Sequence, residues 1–103
     1  MLSLKPGVRV GGLQPEILLG VVALNDIYTQ GGYHMVLTAV TDGKHMEGSL
    51  HYEGQAVDVR TRDISPTVLN LMAKNAREAL GPDYDIVLEG DHLHMEYQEH
   101  TPK

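Results

Sequence analysis

Two residues, Gly90-Asp91, separate a strand-like run at 84–89 from a second at 92–97. A two-residue loop with glycine first fits a type II′ hairpin. That turn fixes a register in which Glu89 pairs with His92, Leu88 with Leu93, Val87 with His94, Ile86 with Met95, and Tyr84 with Tyr97. Directly opposed residues share a face. Tyr84, Ile86, Leu88, Leu93, Met95 and Tyr97 therefore make one apolar face. Asp85, Val87, Glu89, His92, His94 and Glu96 make the other. A slip of one residue would undo this sorting, so the pattern commits the chain to a two-faced sheet.

The rest of the chain supplies partners for that sheet. Residues 15–28 read as a helix, with Pro15 at the first position and Ile17, Leu18, Val21, Val22, Leu24 and Tyr28 near helical spacing. Gly31-Gly32 ends it. The segment is apolar enough to be a central buried helix. Residues 33–40 read as a strand, and 41–48 as a polar loop. Ala56–Arg60 is a short strand with Val57 and Val59 on one face and Ala56, Asp58 and Arg60 on the other. A second helix spans 65–80. Ser65 suits its N-cap, Pro66 its first turn and Gly81-Pro82 its end. Val68, Leu71, Met72, Ala76, Ala79 and Leu80 form its apolar stripe. The expectation is a single α+β domain over 1–103: an antiparallel sheet, helices on one face and chemistry on the other, with 98–103 as a flexible tail.

Bulk properties narrow the function. The chain has 103 residues, no Cys, no Trp, no Phe and a net charge of −6. One small core is expected, filled by aliphatic residues and tyrosines. The acidic balance disfavours nucleic acid as a partner. There is no apolar run long enough to cross a membrane. Residues 1–7 lack the apolar run of a signal peptide, so synthesis in the cytoplasm is the expectation.

The polar faces carry a convergent set of ligand-type side chains. Asp58, His92 and His94 fall on polar faces of expected strands, and His51 lies just ahead of one of them. Histidine and carboxylate donors without cysteine suit a zinc ion with an open coordination position. Spacing and facing alone leave two readings, a metal site and a solvated polar face. His34, His45 and His100 show no comparable convergence.

The pattern Ser49-x-His51-x-x-Gly54-x-Ala56-x-Asp58, followed by Glu89 and His92-Leu93-His94, resembles the zinc motifs of the M15-type peptidases, the D-alanyl-D-alanine carboxypeptidases and L-alanyl-D-glutamate endopeptidases. The Hedgehog signalling domain shares that fold. The resemblance implies one zinc per chain, held by His51, Asp58 and His94, with water in the fourth position. It further implies Glu89 as general base and His92 as oxyanion stabiliser or proton-transfer aid. Ser49 would orient His51. The expected substrate is the stem peptide of peptidoglycan, and the compact size resembles a phage lysis endopeptidase. One departure stands out. Family members carry an Arg where this chain has Lys44, in Thr41-Asp42-Gly43-Lys44. Lys44 lacks the guanidinium fork, which leaves Arg60 as the preferred substrate-binding alternative. The second reading of the same motifs is a non-catalytic metal-binding module.

Overall fold

The structure is a computed structural model and describes residues 2–8, 13–40 and 55–98. The elements run β1 (Leu2–Leu4), α1 (Pro15–Gln30), β2 (Met35–Ala39), β3 (Ala56–Arg60), α2 (Pro66–Leu80), β4 (Tyr84–Leu88) and β5 (His92–Tyr97). The five strands form one sheet in the order β1-β2-β3-β5-β4.

The hairpin forms in the expected register, with Leu88 opposite Leu93, Ile86 opposite Met95 and Tyr84 opposite Tyr97, but Gly90 does not take the positive φ of a type II′ turn. Its closing bond is the Glu89 amide to the His92 carbonyl, at 2.8 Å. At the open end the Gln98 amide donates to the Asp83 carbonyl at 2.8 Å, so the hairpin's hydrogen bonding reaches residue 98. Residues 99–103 lie outside the described set. The inward faces behave as their alternation requires. Met35, Leu37, Val57, Val59, Ile86, Leu93 and Met95 are buried, and they pack with Ile17, Val21, Leu24 and Tyr28 of α1 and Met72, Ala73 and Ala76 of α2. Both helices thus cover one side of the sheet.

The ends of α2 follow local chemistry. The Ser65 hydroxyl accepts from the Val68 amide at 3.3 Å, which satisfies a first-turn donor. Gly81, at φ 87° and ψ −174°, takes a positive-φ extended conformation open to glycine, which stops the helix, and its amide still reaches the Arg77 carbonyl. Arg77 then reaches back over the sheet, donating through Nη2 to the Ile86 carbonyl at 2.7 Å.

Two expectations need correction. The sheet is mixed rather than antiparallel, because β1 runs parallel to β2 and pairs Leu2 with Met35 and Leu4 with Leu37. A three-residue strand is too short to show a period, and a parallel neighbour needs a crossover, which α1 supplies. Nor is α1 a central buried helix. It buries one side only, leaving Leu18, Leu19 and Val22 exposed at 46%, 66% and 65%. High apolar content was read as all-round burial, whereas in this layered fold a helix meets the sheet along a single stripe.

Candidate functional site

The polar side of the sheet is organised by strand pairing. In the β3–β5 register Asp58 sits opposite His94, and Arg60 opposite His92. Val57 and Val59, fully buried, anchor the other face of β3, so alternation drives Asp58 and Arg60 outward. A bulge in β2 shifts its register so that Leu37 meets Val59 while Ala39 meets Asp58. A small side chain therefore lies beside Asp58.

His94 is held by two carboxylates. Its Nδ1 is 2.8 Å from Asp58 Oδ1 and its Nε2 is 3.3 Å from Glu96 Oε1. The Asp58 hydrogen bond raises the His94 pKa above the ordinary 6.5, against the opposing effect of burial, and the charges of Asp58 and Glu96 add to the rise. His92 faces Asp91 through Nδ1 at 2.6 Å, and its Nε2 comes within 3.7 Å of Asp58 Oδ1. The His92 hydrogen bond in turn holds the exposed Asp91 carboxyl below its usual range. The pairing of β3 with β5 places Asp58, His92, His94 and Glu96 in one half-buried row.

The other expected site residues fall differently. Glu89 lies just past β4 with its side chain exposed, and no hydrogen bond or ion pair among the described residues ties its carboxylate to the row. Arg60 stands beside Asp58 on the same face. Lys44, Ser49 and His51 lie outside the described residues. Glu96 was given no role from sequence, although its position two residues after His94 on one strand face was the available signal.

Zinc chemistry can be tested against the donors. Asp58 Oδ1 and His94 Nδ1 are separated by 2.8 Å. A tetrahedral edge at zinc bond lengths is about 3.3 Å, so a small parting would let both donors share one ion. Among the described residues no three His, Cys, Asp or Glu side chains converge on a metal position. The expected third ligand, His51, lies outside them.

Comparison with known proteins places the chain in a different family from the peptidases. The family model for the Hedgehog amino-terminal signalling domain matches residues 27–96. The Indian hedgehog protein of Xenopus laevis is 41% identical over 61 residues, covering 58% of this chain and 15% of the relative. The Tiggy-winkle hedgehog protein of Danio rerio is 42% identical over 53 residues, covering 52% and 12%. The Sonic hedgehog protein of Xenopus laevis gives the same figures. The chain thus spans about 15% or less of the length of these curated relatives.

These matches overturn the peptidase reading. The family and the relatives reported are Hedgehog proteins, not zinc carboxypeptidases, endopeptidases or phage endolysins. Peptidoglycan stem peptides and cell-wall degradation go with it as substrate and role. The second reading, a metal-binding module defined by its ion, gains no support either. The physical reason is that ligand spacing belongs to the shared fold. Asp58 and His94 mark where β3 and β5 bring donors together, and a hydrolase needs in addition a base aimed at the bound water. The exposed Glu89 side chain shows no such positioning.

Proposed function

The chain belongs to the family of the Hedgehog amino-terminal signalling domain, and from that premise we propose that it works by being recognised by another protein rather than by turning over a substrate. The observation that carries this reading is the family match over 27–96, which includes both helices' sheet partners and the Asp58–His94 row. The layout agrees with it. The helices cover one side of the sheet, and the other carries half-buried charged and imidazole groups that a partner can meet with directional hydrogen bonds. The partner is a receptor-type protein.

Within that domain we assign zinc a stabilising place at one ion per chain, held by Asp58 and His94 with His51. Support comes from the two donors' separation and from their type, one carboxylate and one imidazole. The ion would tie β3 to β5 through their side chains.

The test uses the purified chain, labelled, on cultured vertebrate cells. Saturable binding, competed by unlabelled chain and weakened by His92→Glu on the polar face, is the expected result. The same preparation should release no soluble fragments from peptidoglycan. Absence of self-competed binding would overturn the recognition reading.

A further inference from the structure

The chain's charge is −6, yet three of its eight Lys and Arg side chains gather on one part of the sheet. Arg60 and Arg62 line two adjoining concavities, of about 310 and 430 Å³. The first also takes Tyr33, His34, Asp63 and Ile64. The second adds Lys5 and reaches Asp58, Asp91 and His92. Two of these aspartates are already engaged. Asp58 meets His94, and Asp91 meets His92. Lys5, Arg60 and Arg62, by contrast, form no ion pair among the described residues. Among the described residues, then, no carboxylate neutralises this cationic patch of an acidic molecule.

The backbone that carries these cations is fixed. Tyr28, buried in the core, donates its hydroxyl to the Arg60 carbonyl at 3.2 Å. Arg60 is also paired to His92 across the sheet. Arg62 sits in a tight turn closed by the Ile64 amide on the Thr61 carbonyl at 3.3 Å. In that turn Asp63 holds φ at 71°, a left-handed conformation that costs a non-glycine residue energy and recurs at binding sites. Thr61, beside it, is buried. Guanidinium groups on a fixed backbone bind carboxylates in paired, parallel hydrogen bonds and lose little freedom in doing so. Tyr33 and Ile64, half-buried against the core, give the strip an apolar floor next to the charge.

We propose that this strip, from Tyr33 across Arg60 and Arg62 to Lys5, docks a short carboxylate-bearing peptide segment of a protein partner, with acidic side chains on the arginines and apolar ones on Tyr33 and Ile64. The proposal rests on the recognition reading above and gives it a contact surface. A peptide suits the strip better than a long polyanion. The cations are few and confined, apolar groups interrupt them, and the surrounding acidic surface would repel an extended chain of negative charge.

The experiment is fluorescence anisotropy with a labelled octapeptide of alternating glutamate and leucine, and its glutamine–leucine counterpart as control. The wild-type chain should bind the acidic peptide and not the neutral one, and more weakly as salt rises. Arg60→Ala with Arg62→Ala should lower the affinity about tenfold or more. Arg62→Lys should lose part of it, because charge remains without the fork. Lys74→Ala, on the exposed side of α2, should change nothing. Thermal melts of each variant establish that the fold is retained, and a single Arg62→Ala, in an exposed turn, serves if the double variant does not fold. Equal binding of both peptides, or affinity indifferent to the arginines, overturns the site. So does tighter, arginine-dependent binding of dextran sulfate than of the peptide. Because cell-surface binding is read separately, failure here with that binding intact removes this strip and leaves the recognition reading standing.

Discussion

Tyr28 is fully buried, and burial pushes its phenol pKa up to about 12, so it stays neutral and keeps its proton to donate. Replacing it with Phe keeps the ring and removes the bond to the Arg60 carbonyl. The expected cost is about 1 kcal/mol in urea unfolding, the usual net value of one such bond. A fall much below that would mean that water takes over the bond. His94 offers a second measurement. Its pKa is raised in the folded state, so folding takes up a proton. In chelator-treated protein its contribution is fully present below the unfolded value near 6.5 and is lost as pH rises through the folded value. The melting temperature of metal-free protein should therefore fall as pH rises above the ordinary histidine value of 6.5, and His94→Gln should flatten the profile. A profile unchanged by His94→Gln would mean that the Asp58 contact adds nothing to stability.

At the scale of the element, Gly20 lets α1 lie close against the sheet. A Cβ there would stand 2.9 Å from Tyr84 Cε2 and 3.1 Å from Met95 Cε. Met95 can move its flexible end, but Tyr84 is pinned by its hydroxyl, which donates to the Glu16 carbonyl at 2.6 Å. Gly20→Ala gains about 1 kcal/mol of helix propensity and meets an overpacking cost of about 1–3 kcal/mol. A net loss on the order of 1 kcal/mol is expected from denaturant curves, and a stabilised variant would show that α1 can lift off the sheet. The elements with strong local signals were legible in the sequence. Ser65, Pro66 and Gly81 bound α2, and the alternation on either side of Gly90-Asp91 marks the register of β4 with β5. What was not legible depends on distant contacts. β1 has no period of its own, the single-sided burial of α1 is decided by the layers around it, and the bulge opposite Asp58 arises where β2 meets β3. Activity is hidden from the sequence for a related reason. Donor spacing records which strands meet, while the chemistry depends on where a base points, and for Glu89 the sequence alone could not say.

For the whole molecule, zinc would act as a cross-strand tie whose strength reads out as global stability. Protein first shown to carry one zinc should melt at a lower temperature after chelation, and regain the loss on adding zinc, because an ion bound to the folded state stabilises by mass action. Asp58→Ala should abolish the difference, whereas an unchanged melt after chelation of loaded protein would count against the assignment. A different consequence follows from β1. Its parallel place beside β2 exists only through the α1 crossover, it has three residues, and Leu2 and Leu4 are 40% and 43% exposed. The strand is therefore expected to detach first from the finished fold. Its amides should exchange with solvent through a low-energy local opening, whereas those of β3 and β5 should wait for the entire domain to unfold. Each such opening bares the outer edge of β2, a row of backbone donors and acceptors that a strand from another molecule can fill.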